Sequence, residues 1–356
     1  MQMKFGLHYQ LPCYGEQSAV QRYRDTIEQA VYGEALGFES VWPVEQHFNP
    51  GLSIMPAPML PLAAIAERTQ TLRLGIAIVL LPLSHPLRVA EEVATLDVMS
   101  NGRVEFGAGR GAIPNHFRGF GVVQSESRDR LFEELEIIRR AWTEESVSYQ
   151  GRFYTVDNIS VVPKPVQRPH PPIRIAANSD DSFALMGRAG YPIFAASQVN
   201  SFNRLRRFLP AYREARAAAG HPDHGGEDLT LLMPLYVGED RAEIRRDTEP
   251  GIRHLLETVA TLYTSGMPKS EGGARRLMEL AEKTRSTTYE QACESMAVFD
   301  TPDECVARLQ GFQQEFNMGR LICWFNPGGV LPHERVIRSM ELFARKVMPH
   351  FQPAQG

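Results

Sequence analysis

Short apolar runs alternate eight times with amphipathic helical stripes, and this alternation limits the fold more than any other feature of the chain. "KFGLHY" (4–9), "FESVWP" (38–43), "LRLGIAIVL" (72–80) and "RVEFGAGR" (103–110) read as the first four strands. "IRIAAN" (173–178), "YPIFAAS" (191–197), "LTLLMPLYVG" (229–238) and "RLICWF" (320–325) read as the other four. The third run is apolar on both faces, which suits a parallel strand covered by helices. Between the runs, apolar residues recur every three or four positions: Val20, Tyr23, Ile27, Ala30 and Val31 mark the first helix, with Gly37 as its stop. The same spacing predicts helices near 57–68, from Pro86, through Leu131–Trp142, to near Gly190, over 202–219, from about 240 and over 332–347. Thr301-Pro302-Asp303-Glu304 has the form of a capped helix start.

Eight strands, each followed by a helix, predict a (β/α)8 TIM barrel forming a single domain over 1–356. A doubly wound open sheet is the alternative, but it seldom needs eight units. Two segments break the rhythm. Residues 146–172 read as a hairpin-like insertion ending in a fixed crossover, stiffened by four prolines from Pro163 to Pro171. Residues 262–298 read as a second insertion, polar and glycine-containing.

Composition narrows the function classes. A net charge of −4 gives no general attraction to nucleic acid or anionic lipid. The four cysteines are irregularly spaced, without C-x-x-C, so neither a zinc site nor a disulfide framework is expected and a cytoplasmic setting is. The longest apolar run is about ten residues, against ~20 for a membrane span. "GAGRGA" lacks the dinucleotide fingerprint, and no histidine–acid spacing suits a metal.

In a barrel of this kind, chemistry sits at the carboxyl ends of the strands. Strand one ends in His8, Tyr9 and Gln10; strand two in "WPVEQHF", with Glu45, Gln46 and His47; strand three in Ser84 and His85. Strands four, five and eight lead to Arg110, to Asn178 and Ser179, and to Asn326. His8 reads most simply as a structural hydrogen-bonder, and His85 before Pro86 has the form of a helix cap. Glu45 and His47 are stronger functional candidates, because burying a carboxylate and an imidazole beside Trp and Phe requires pairing or a cavity. The glycines of "FGAGR" leave room for something large beside Arg110, and a guanidinium at a strand mouth suits a phosphate. Asn178-Ser179-Asp180-Asp181-Ser182 reads either as a plain helix cap or as an anion site. The two aspartates would have to turn outward, with Arg128 as a second cation. A phosphorylated cofactor fits, its ring toward strands two to four.

"WPVEQHF", "AIVLLPLSHPLRVAEEVATLDVMSNGRVEFGAGRG", "VPKPVQRPHPPI" and "FDTPDECVARL…SMELFARKVMP" together resemble the bacterial luciferase-like flavin monooxygenases. The resemblance runs from residue 3 to about 349. It implies a barrel, usually dimeric, that takes reduced FMN from a separate reductase and forms a flavin C4a peroxide with O2 to oxygenate a small organic substrate. By the same resemblance Arg110, Arg128, Ser179 and Ser182 would hold the flavin phosphate, with Asn178 where luciferase has an acid. An unusual cis peptide under the flavin would fall at Ala77-Ile78. His47 would hydrogen-bond the peroxide or shuttle a proton, Glu45 would orient it, and Gln46 would act as a neutral donor. His8, Tyr9, His85 and Asn326 would line the substrate pocket. The chain departs from the family at Gln46, where Glu-His-His-Phe is common, and at Gly109, which replaces a reactive thiol, so light emission is not expected. The second insertion stands where luciferase has a mobile active-site loop. Deazaflavin-dependent hydride transfer and non-catalytic flavin binding are the alternatives within the same superfamily.

Overall fold

The computed structural model describes residues 2–265 and 271–352. Its strands are β1 (Lys4–Tyr9), β2 (Ser40–Pro43), β3 (Arg73–Gly75), β4 (Val79–Leu80), β5 (Val104–Gly109), β6 (Val147–Gln150), β7 (Thr155–Ile159), β8 (Ile173–Ala176), β9 (Ile193–Ala196), β10 (Leu229–Val237), β11 (Val298–Asp300) and β12 (Arg320–Trp324). Parallel pairing runs β1–β2–β3–β5–β8–β9–β10–β12 and returns to β1, closing a (β/α)8 barrel. The short β4 carries the third strand's path onward and pairs with β5.

The helices lie between the strands: α1 (Ala19–Ala35), α2 (Met59–Ala66), α3 (Pro86–Met99), α4 (Pro114–Phe120), α5 (Ser127–Thr143), α6 (Asp180–Ala189), α7 (Ser197–Ala218), α8 (Arg241–Ser265), α9 (Glu271–Arg285), α10 (Tyr289–Ser295), α11 (Pro302–Phe316) and α12 (His333–Lys346). Local chemistry sets their ends. Ser18 accepts from the Gln21 amide to start α1, and Thr301 and Glu304 form a capping box at α11 with Pro302 in its first turn. Gly190 closes α6 in the left-handed conformation that glycine adopts freely.

Barrel closure depends on two glycine positions. A side chain at Gly75 would strike the Trp42 ring, and one at Gly107 would strike the Ile76 carbonyl. This corrects the expectation that the β5 glycines make room for a ligand. The space over Gly107 and Gly109 is filled by the neighbouring chain at Ile76 and Ile78, just where the Ala77-Ile78 peptide is cis.

The amino-terminal end of the barrel is closed by charge. Glu105 of β5 is buried and reaches Arg73 (2.7 Å), Arg174 (3.2 Å) and, across the barrel, Arg320. Burial opposes its ionisation, but the three guanidiniums outweigh burial and hold its carboxyl at about 2.

The first insertion is the expected hairpin, β6 against β7. Glu133 of α5 accepts from the amides of Phe153 and Tyr154, and the Tyr154 hydroxyl donates to Glu134 at 2.6 Å. The proline crossover that follows has cis bonds at Pro163 and Pro169, and Lys164 donates to the carbonyls of Ala141 in α5 and of Glu144 just past its end. The second insertion, polar and glycine-containing in sequence, carries secondary structure of its own. Its described part is mostly helical, α9 and α10, followed by β11, which extends the sheet beside β10. Residues 266–270 of that insertion lie outside the described residues.

Candidate active site

At the carboxyl ends of the strands a cavity of about 420 Å3 opens. Its walls bring together Glu45 and Gln46 after β2, Ala77 and Ile78 between β3 and β4, Arg110 after β5, Arg128 on α5, and Asn178, Ser179 and Ser182 at the start of α6. His8 of β1 reaches it from below. The rest of the lining is largely apolar: Leu131 and Phe132 of α5, Leu185 and Met186 of α6, Phe194 of β9, Leu232 of β10, and Leu255 and Val259 of α8.

One end of this cavity has the chemistry of an anion site. Arg110 donates to Ser127 Oγ at 3.3 Å, and both burial and the nearby Arg128 depress its pKa. Two cations that repel one another beside a cavity invite an anion between them. The aspartates of α6 do turn outward. Asp181 is 79 % exposed and 3.9 Å from Arg128, while Asp180 lies 3.8 Å from Arg204 and 3.7 Å from Arg207. Ser182 Oγ accepts from the amides of Asn178 (3.0 Å) and Ser179 (2.9 Å) and donates to the Ser179 carbonyl at 2.7 Å. The turn is a helix cap, as one of the two sequence readings has it, and it also borders the cavity. Asn178 is steadied by Asn200, which donates to its Oδ1 at 3.2 Å.

"WPVEQHF" divides its residues between cavity and wall. Glu45 is held at both oxygens, Oε1 2.9 Å from His47 Nε2 and Oε2 accepting from the Leu80 amide at 3.1 Å. His47 is buried behind it, among Phe48, His116 and Phe120, and is not part of the cavity lining. The cavity is faced instead by Gln46, whose buried Oε1 has no hydrogen-bond partner among the described residues.

The remaining sequence candidates scatter. His8 is buried, its Nδ1 has no hydrogen-bond partner among the described residues, and burial pushes its pKa down to about 3. Tyr9 and Asn326 line a neighbouring enclosure of about 20 Å3 that His8 shares. Asn326 there clasps its own loop through both Leu331 backbone groups, each at 3.1 Å. His85 is exposed and caps α3 by accepting from the Leu87 amide at 3.3 Å, with its ring edge-on to Tyr154.

Two polar cavity residues are absent from the sequence candidates: His116, which lies on a helix, and Gln198, which lies just past the end of β9. His116 lies on α4, and burial together with the His47 imidazole pushes its pKa down to about 4, so it is neutral near pH 7. Its Nε2 accepts from the His47 amide at 3.4 Å. Gln198, in the first turn of α7, has a buried Oε1 without a hydrogen-bond partner among the described residues. "IPNHF" carries a helix-start signal, proline in the first turn, that could have exposed α4.

A family model described as "Luciferase-like monooxygenase" matches residues 3–316. Among solved structures, monooxygenase RslO1 from Streptomyces bottropensis is 30% identical, with a TM-score of 0.81 over 98% of this chain and 100% of its own. Two others share the fold alone. The oxygenating constituent of 3,6-diketocamphane monooxygenase from Pseudomonas putida, in complex with FMN, has a TM-score of 0.79 at 20% identity, covering 98% and 99% of the two chains. An F420-dependent secondary alcohol dehydrogenase has a TM-score of 0.75 at 19% identity, covering 99% and 100%.

Proposed function

Because the chain belongs to the luciferase-like monooxygenase family, we propose that it binds reduced FMN and uses O2 to oxygenate a small organic substrate. The single observation that carries the FMN reading is the convergence of Arg110 and Arg128 on the cavity that also holds Gln46 and the Ala77-Ile78 wall. The donor set suits a phosphate, and the apolar wall beyond it suits a flat ring. When bound, reduced FMN supplies the electrons that activate O2; one oxygen atom goes to the substrate and the other leaves as water.

In this reading the chain's own groups divide the work. Arg110 and Arg128 grip the phosphate, and the Ser179 turn closes that end. Gln46 offers a neutral amide to the ring or the substrate. His116 is a neutral imidazole at the cavity near pH 7, and with Nε2 accepting from the His47 amide its Nδ1–H is left as a hydrogen-bond donor. Glu45 and His47 brace each other, which fixes the loop carrying Gln46. Leu255 and Val259 of α8 cover the apolar side against water. A separate flavin reductase, a homodimer and a cytoplasmic setting belong to the same proposal.

The FMN-bound and F420-dependent barrels among the fold's neighbours leave two cofactors to separate. Reconstitution with reduced FMN and with reduced F420, each followed by oxygen uptake, does so. Tight FMN binding with oxygen consumption supports the proposal; binding of F420 alone, without oxygen uptake, contradicts it.

A further inference from the structure

Resting on the flavin reading above, we propose that the cavity's second ligand is an uncharged, largely apolar molecule bearing a hydroxyl group, held between the carboxamides of Gln46 and Gln198. The two residues stand on opposite walls. In the closed barrel β2 and β9 are separated by β3, β5 and β8 on one side and by β1, β12 and β10 on the other. Trp42 of β2 and Phe194 of β9 meet across the interior, ring centroids 5.7 Å apart. Gln46 follows Trp42 by four residues and Gln198 follows Phe194 by four (46 − 42 and 198 − 194). The two amides therefore flank the space above this aromatic floor.

Both amide oxygens are buried without a partner among the described residues. An orphaned buried acceptor is destabilising, and a ligand O–H would satisfy it. Charge is disfavoured at this position. Arg110 and Arg128 serve the anion end, His8 and His116 are neutral near pH 7, and both Glu45 oxygens are engaged. A carboxylate or ammonium placed between the glutamines would lose its water without gaining a counter-ion.

The test uses 2-naphthol, naphthalene and 2-naphthoate as probes, at a pH where the naphthol is neutral. Binding of each is measured to the protein with and without FMN. The expected result is 2-naphthol binding at least ~10-fold tighter than either analogue, because a site that hydrogen-bonds a hydroxyl rejects ligands lacking it. Gln198→Leu and the closer-shaped Gln198→Met should erase the naphthol preference while leaving FMN affinity within about twofold, since neither touches a phosphate contact. Absence of any naphthol preference in the unmutated protein overturns the proposal. So does tighter binding of 2-naphthoate, or a Gln198 variant that loses FMN affinity and keeps the preference. Failure of the flavin reading shows separately, as no FMN uptake by the unmutated protein, and the FMN-free probe series still decides the substrate class.

Discussion

Individual side chains divide here into those that hold the structure and those that face the cavity, and their titration separates them. Glu134 is fully buried, bonded by Tyr154, and burial raises its pKa to about 8. Its unfolded value is near the usual ~4.3. A carboxyl raised on folding contributes stability that is complete below the unfolded value and lost as pH climbs through the folded one. Hairpin docking on α5 should therefore weaken between about pH 4.5 and 8. Glu134→Gln should raise the urea midpoint at pH 8 and change it little at pH 5; a midpoint lowered equally at both pH values would refute this assignment. His116→Asn tests the cavity face. Turnover should fall ~10²-fold or more if the imidazole's hydrogen bond serves the chemistry, with FMN affinity unchanged in a fluorescence titration. A variant with wild-type turnover removes His116 from the chemistry. Sequence reading found Glu45 and His47 because a polar pair beside aromatics is anomalous, but it could not tell which of the two faces the cavity. The direction of His47 depends on contacts with Phe120 and His116, more than sixty residues away in the chain.

At the scale of elements, the barrel strands were legible because each is a closed apolar run bounded by turn residues, and the helix starts because capping is local chemistry. Thr301 and Glu304 exchange hydrogen bonds within four residues, so no tertiary information is needed to see them. The α9 helix was not legible: its sequence "EGGARRLMELAEKTR" is polar nearly throughout and opens with two glycines. The β11 strand has only three residues, and only its pairing with β10 defines it. The barrel's charged floor was equally hidden, because Glu105 and Arg320 lie far apart in sequence and meet only on closure. That meeting holds β5 to β12. Glu105→Gln should destabilise the fold by ~3–5 kcal/mol in chemical denaturation, since it leaves buried guanidiniums unpaired. With the carboxyl depressed to about 2, its contribution is present above about pH 4.5 and lost as pH falls toward 2. The variant should accordingly show a flatter acid-unfolding profile, and an unchanged profile would place the floor's stability elsewhere.

Over the whole molecule, the two ends of the barrel do different things. The amino-terminal end is sealed by ion pairs around Glu105, and the carboxyl end opens into the cavity bounded by Arg110, Arg128, Gln46 and Gln198. Closed topology forces groups from β2, β5, β8 and β9 onto one rim, so loops distant in sequence border one cavity. Arg110, which directly follows β5, and Arg128, in the first turn of α5, both line that rim's cavity, as the resemblance leads one to expect of two residues that would hold a phosphate. The resemblance could not rank the groups across the cavity, because their facing depends on where α4, α7 and α8 settle over the mouth. The central claim is that Arg110 grips the phosphate of a flavin. Its most direct test is a paired titration of FMN and riboflavin against the unmutated protein and Arg110→Ala. The account predicts FMN binding on the order of 100-fold tighter than riboflavin, as a charge-assisted contact of about 3 kcal/mol requires, with the gap largely abolished in the variant. Equal affinity for FMN and riboflavin in the unmutated protein, or a gap that survives Arg110→Ala intact, would contradict it.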